Sequence, residues 1–412
     1  MEIDSGATAW VLISAALVLF MTPGLALFYG GMVRAKHMLG MLMQNVFAMG
    51  LISILWATIG FSIAFGGGNK WIGNFDFAFL GDVPAAAGDL PGYGGALVIP
   101  SMAFIAFQMM FAVITPALIT GATADRLKFG AYALFIGLWS VLVYSVAAHW
   151  VFSPEGWLFK RGSLDFAGGT AIHINAGIAA LAVVAVIGPR RGWPNEPMPP
   201  HNLPLTMLGT GILWFGWFGF NAGSALGADG VAAQALVNTQ LAAAAGMIGW
   251  LVIERIRAGH ATTLGAASGA VAGLVAVTPC AGFVGGMAPI AIGLAAGVVC
   301  YLALGIKRKL KLDDSLDVIA VHLVGGLLGS ILLGFFADAS ATGIGADGVF
   351  FGGGTDLLVD QIVASASVLV FSGVVSYVLA LVIDRTIGLR VTSDDELLGL
   401  DQSQHAESAY QP

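Results

Sequence analysis

Charge is scarce in this chain. Asp, Glu, Lys and Arg make up 10% of its 412 residues, against roughly 25% in soluble domains. That deficit argues against an ordinary water-facing globule. Cysteine is nearly absent: Cys280 and Cys300 lie in apolar runs with no CxxC or histidine neighbour. A disulfide framework or a zinc site is therefore not expected, and both are read as packing residues. No HExxH spacing, nucleophile elbow, phosphate loop or catalytic dyad occurs, so neither an enzyme, a resident metal nor a cofactor is expected. No long alternation of apolar and polar residues competes with the helical runs, which excludes a membrane β-barrel. The net charge of −7 argues against nucleic acid as a partner. No basic residue precedes the first apolar run (Met1-Glu2-Ile3-Asp4), so no cleavable signal peptide is expected.

What the chain does have is apolar length and glycine. Hydrophobic residues make up 58%, and glycine supplies 58 positions, about twice its usual share of roughly 7%. In a membrane bundle, small residues let helix backbones approach closely. A helix needs roughly 20 apolar residues to cross about 30 Å of hydrocarbon. Eleven such stretches lie near 8–31, 38–65, 97–122, 129–151, 169–188, 204–226, 232–253, 261–280, 284–305, 316–336 and 359–383. With the N-terminus outside, the inner loops receive 14 cations and the outer loops only Lys70, Lys160 and Arg161. This satisfies the positive-inside rule. The expected fold is an all-α polytopic membrane protein of two inverted five-helix repeats plus one further helix. Residues 1–384 form the membrane domain, with repeats near 8–188 and 204–336 and the extra helix near 359–383. Residues 385–412 form a polar cytoplasmic tail, in a multi-pass protein of the cell (inner) membrane.

Ionisable groups inside spans are costly and mark pathways. Two candidates are His173 and His322, deep in helices 5 and 10. Each half also sets an acid before its histidine, Asp165 in the first and Asp317 in the second. Imidazole suits a proton-handling pore because its two nitrogens donate and accept in turn. His149, near the end of helix 4, is read as structural. Aromatic residues crowd helices 3 and 6 (Phe107, Phe111, Trp214, Phe215, Trp217, Phe218, Phe220). Most belong to packing or the interfacial belt, and a few could hold a cation as it sheds water.

Longer strings carry a family resemblance: FYGGMVR at 28–34, TPALITGATADR at 115–126, DFAGGTAIHINAG at 165–177, GWFGFNAGSA at 216–225, NTQLAAA at 238–244 and LDVIAVH at 316–322, then GLRV at 388–391 and GLD at 399–401. Over nearly the whole chain the sequence resembles the ammonium transporter (Amt/Rh) family, in its Amt branch. The resemblance implies an eleven-helix homotrimer with one pore per subunit. It implies that His173 and His322 are paired pore histidines, and that Phe111 and Phe220 form a stacked gate above them. Ser224 would accept from ammonium in an outer vestibule, with Asp165 a buried carboxylate needed for recruitment or integrity. Trp217 would line the pore below the gate, with Phe107, Gln108 and Thr278 close to the path. Phe152 stands where the family often has Trp, and a phenyl ring is the poorer cation–π partner. Leu323 and the HAESAY ending at 405–410 depart from the usual pattern. The tail, by the same resemblance, helps dock a PII-type signalling protein.

The expected function is uptake of ammonium, with methylammonium a further candidate substrate. The cation is recruited, loses a proton near the gate, and passes as ammonia while the proton moves separately. The alternatives are an electroneutral ammonia channel and an ammonium sensor.

Overall fold

The computed structural model describes residues 2–410, and no strand occurs among the described residues. Eleven apolar helices follow the expected order. They are α1 (Ser5–Met32), α2 (Ala35–Phe65), α3 (Ser101–Thr123), α4 (129–152), α5 (Gly169–Ile187), α6 (Leu203–Ala222), α7 (Gly230–Ala258), α8 (Thr263–Val277), α9 (Ala288–Lys309), α10 (Ile319–Phe336) and α11 (Asp356–Thr386). Local chemistry sets several starts. The side chains of Asp4, Asn202, Asp229 and Thr262 each accept from a backbone N–H in the first turn of α1, α6, α7 and α8, satisfying donors that helix geometry leaves unpaired.

Ten of these helices are long and apolar enough to cross a membrane, and α8 is the shorter one. The sequence suggests a span near 261–280, but α8 has 15 helical residues, about 22 Å at 1.5 Å per residue. Pro279 explains the stop: it has no N–H with which to continue the helical ladder beyond Thr278. The chain then continues in turns through Gly286 before α9 begins.

Helices α3 and α5 lie in the middle, the most enclosed of the set, while α11 is the least. Helix α1 packs along α6, and α7 packs against both α8 and α9. Large apolar side chains such as Ile54, Ile256 and Val370 are more than half exposed. This is the surface expected where lipid, not water, is the neighbour.

The two ends of the bundle differ. One, the vestibule face, carries segments 66–100, 153–168, 223–229, 278–287 and 337–355. The other carries the C-terminal tail, folded as two short helices, α12 (Ser393–Leu398) and α13 (Leu400–His405). The tail packs back onto the loops and helix ends of that face. Lys128 N donates to Leu389 O at 2.8 Å, Val391 N to Arg126 O at 3.0 Å, and Gly40 N to Asp401 Oδ1 at 2.8 Å. Beneath it lies a buried ionic knot. Arg190 grips Asp313 with Nε and Nη2, each at 2.9 Å, and Arg126 donates to Asp313 O, Gly188 O and Ser315 Oγ. Burial pushes the Asp313 carboxyl up, but Arg190 and Arg126 outweigh it and hold the group below the ordinary carboxylate range.

Candidate functional site

A cavity of about 310 Å³ opens on the vestibule face, lined among others by Tyr93, Gln108, Phe111, Phe152, Asp165, Ser224 and Asp229. Its floor is aromatic. The rings of Phe111, from α3, and Phe220, from α6, meet with centroids 4.5 Å apart at 52°. Phe107, one turn before Phe111, braces it edge-on at 4.8 Å. Both phenylalanines of the floor are buried, so the cavity ends there.

A second space of only about 10 Å³ is lined by Phe220, Trp217, His173 and His322 together with apolar side chains such as Leu25, Phe28, Ile114 and Leu118. A void of this size is at the lower limit for a single water. The histidines meet inside it: His322 Nδ1 and His173 Nδ1 are 3.2 Å apart, with ring planes 21° apart. One Nδ1 must donate and the other accept. His173 also stacks on Trp217, centroids 5.6 Å apart at 19°, and its Nε2 has no protein partner. Trp217 is itself fixed, because its Nε1 donates to Thr278 Oγ1 at 2.9 Å. Thr278 thus sits behind the tryptophan, just where α8 ends, and neither it nor Phe107 is among the residues lining the two cavities.

Local backbone places the two rings. His173 and His322 both lie in wide π-type turns, residues Gly169–Ile174 and Ile319–Val324, a geometry that recurs at functional positions. Asp165 anchors the first: Oδ1 accepts from Gly168 N and Gly169 N, and Oδ2 from Thr170 N and Ala171 N, at 2.6–3.1 Å. Burial pushes this carboxyl above the ordinary range while the four N–H groups pull against it. In the second half the expected acid, Asp317, does not take this role, since its carboxylate pairs with Lys307 at 2.5 Å. Asp314 takes it instead, accepting from Val318 N at 3.1 Å and Ile319 N at 2.7 Å. The spacing is then the same in both halves: acid, histidine eight residues on, glycine four beyond that (Asp165, His173, Gly177; Asp314, His322, Gly326). A Cβ on Gly326 would lie 3.0 Å from that of His173, and one on Gly177 would press on the Leu323 backbone. The glycines let α5 and α10 cross at the histidines.

At the wider cavity, Ser224 Oγ donates to Phe220 O at 2.8 Å, which leaves its lone pairs free to accept. Phe152 and Gln108 line the wall. Trp150, adjacent in sequence to His149, is not among the lining residues. It packs with Trp71, Trp157 and Phe371, and its Nε1 donates to Trp71 O. His149 is buried beside the carbonyls of Ala64 and Asn69, a structural setting. Cys280 and Cys300 are buried and unbridged. The pattern the sequence reading missed, Asp314 with Gly177 and Gly326, was present as an exact offset between two stretches.

The family model for the Ammonium Transporter Family matches residues 9–410. The chain belongs to the ammonium transporter family. It is 52% identical to an ammonium transporter of Mycobacterium tuberculosis over 99% of this chain and 90% of that one. It is 43% identical to Ammonium transporter Amt1 of Archaeoglobus fulgidus, over 99% and 100%. Among solved structures, Mep2 of Saccharomyces cerevisiae superposes with a TM-score of 0.87 at 35% identity, covering 96% of this chain and 89% of that one. A sensor Amt protein superposes at 0.88 and 30% identity, covering 97% and 98%. This ammonium transporter family member is therefore a multi-pass membrane protein of a transport family and not of an enzyme family.

Proposed function

We propose that this chain takes up ammonium by recruiting NH4+ in the vestibule, removing a proton near the Phe111–Phe220 floor, and conducting NH3 past His173 and His322 while the proton moves separately. One observation carries the reading: two hydrogen-bonded histidines supply the polarity of an otherwise apolar constriction, directly beneath an aromatic floor. A bare cation in such a space loses its hydration without replacement, at a cost of roughly tens of kcal/mol in an idealised medium. A neutral molecule avoids that cost. Potassium has no proton to lose, so the same constriction rejects it. Ser224 offers an acceptor and the Phe111 and Phe152 rings offer cation-attracting faces, which suits the wider cavity to the charged form.

In this reading the vestibule face is outside and the tail face cytoplasmic, in agreement with the cation-rich loops of the latter. The shared acid–histidine–glycine spacing of α5 and α10 supports the inverted-repeat reading. Assembly as a homotrimer and docking of a PII-type protein on the tail face rest on family membership. Ammonium pulses applied to proteoliposomes, read as current on a solid-supported membrane, test the mechanism. A saturable current absent for potassium and altered in His173→Ala is expected. Internal alkalinisation without current would mean an electroneutral channel. Neither signal from folded protein would favour a sensor.

A further inference from the structure

Two carboxylates line the vestibule, and they are not equivalent. Asp165 has both oxygens engaged by four backbone N–H groups, so it has little left to offer a cation. Asp229 has one oxygen engaged, Oδ1 accepting from Ala232 N at 2.9 Å as the N-cap of α7. Its Oδ2 turns back over the loop, within 3.5 Å of where a Cβ on Gly227 would stand. The residue is exposed, lines the cavity, and among the described residues no Lys, Arg or His lies within ion-pair distance.

The surroundings sharpen the contrast. Lys160 and Arg161, beside the lining residue Phe159, are paired with Glu155 and Asp360, each at 2.7 Å. The vestibule-face segments and helix ends carry twelve carboxylates against three cations, and those of the tail face carry twelve against fourteen. All of the chain's net negative charge therefore sits on the vestibule face, and a concave mouth bounded by low-dielectric walls focuses such a field. Asp229 and Ser224 also share one loop, five residues apart. A left-handed residue at Leu226 (φ 57°) and the hydrogen bond from Leu226 N to Gly223 O hold both toward the same cavity.

We propose that Asp229 is a second recruiting residue: an unpaired carboxylate at the vestibule mouth that gathers ammonium ahead of Ser224 and sets apparent affinity, not maximal rate. This rests on the reading of the vestibule as the entrance for ammonium. The cation is held there still hydrated, by charge alone. It moves on to Ser224 and the aromatic floor, where it loses water.

Asp229→Asn is the informative variant. Asparagine caps a helix about as well as aspartate, so the fold of α7 is kept and only the charge goes. Initial ammonium uptake would be measured with an electrode on cells lacking their own ammonium carriers, where every transporter faces one way, with Ser224→Ala alongside. The expected result is a rise in KM of about two- to five-fold, the range that exposed charge pairs give, with Vmax unchanged. The difference from wild type should shrink as choline chloride is raised and screening shortens. Asp229→Glu should restore most of the affinity. A Ser224→Ala effect on KM with no Asp229→Asn effect would overturn the proposal and leave the entrance reading standing. A fall in Vmax at unchanged KM, or a KM rise insensitive to salt, would also overturn it. No effect from either variant would remove the entrance reading and the proposal with it.

Discussion

The two histidine-bearing segments of the bundle use one device under different conditions. In each, a carboxylate caps the start of a wide turn, a histidine sits eight residues later, and a glycine four further on admits the opposite helix. Asp165 is held by backbone alone, through four N–H groups, and lines a cavity of about 310 Å³. Asp314 accepts two N–H bonds and borders a pocket of about 20 Å³ together with Asp317 and Lys307. Burial and the neighbouring Asp317 push its carboxyl upward. A cradle of four backbone N–H groups on one side and of two, beside the Lys307–Asp317 ion pair, on the other place the same pair of rings. More buried donors therefore depend on the carboxylate of the vestibule side than on that of the tail side.

The largest effect should come from Asp165→Asn. An amide presents one acceptor oxygen and an NH2 that cannot accept, so at least one or two buried N–H groups lose their partner at about 1–3 kcal/mol each. We expect a loss of thermal stability in detergent and of ammonium transport. Asp314→Asn strands fewer donors and relieves the repulsion from Asp317, so its penalty should be clearly smaller. Equal melting temperatures for the two variants would break the comparison. Next in size is selectivity. Replacing either His173 or His322 by Asp puts a charge acceptor into the constriction and should let potassium through, read as a potassium-driven current. Unchanged potassium rejection in both variants would count against deprotonation as the filter.

Much of this was legible beforehand, for identifiable reasons. Helix number and order follow from runs of apolar residues, which lipid enforces over some 20 positions at a time. His173 and His322 stood out because an ionisable group in a span has few innocent explanations. The end of α8 was less legible, because mean hydropathy does not register that Pro279 stops a helix inside an apolar run. The acid of the second half was misread for a similar reason. Asp313, Asp314 and Asp317 cluster within five residues, and only geometry separates the member that pairs with Arg190, the one that caps α10 and the one that pairs with Lys307. Asp229 was not singled out because loop aspartates are common and its lack of a cationic partner is a three-dimensional fact.

The helix crossing offers a finer test. Ala at Gly177 meets the Leu323 backbone, whereas Ala at Gly326 meets Gly169 O and the Cβ of His173, each at 3.0 Å. Overpacking of this kind costs about 1–3 kcal/mol. The contacts at Gly177 are the tighter, 2.5–2.7 Å against 3.0–3.1 Å at Gly326, so Gly177→Ala should destabilise more. Gly326→Ala should instead shift the histidine pair and reduce transport out of proportion to its stability loss. A matched loss of stability and transport in both variants would mean that the crossing, and not the ring position, is what the glycines protect.

The smallest expected effect separates the two acids by pH. The folded-state pKa of Asp314 lies above its ordinary value, driven first by burial and then by Asp317. The folded protein therefore binds this proton more tightly than the unfolded chain does. Its contribution to stability is full below the ordinary carboxylate pKa and is lost as pH rises through the elevated folded value. Wild type should thus lose stability relative to Asp314→Asn as pH is raised from acid toward neutral, seen in melting temperatures of the two proteins side by side. Asp317→Asn removes the second cause, so it should lower the pH at which that loss occurs, while Asp165, far from either group on the opposite face, should leave the profile of this difference unmoved. A difference that is flat with pH would show that Asp314 releases its proton at the same pH folded and unfolded, the Val318 and Ile319 N–H groups then offsetting burial and the nearby Asp317.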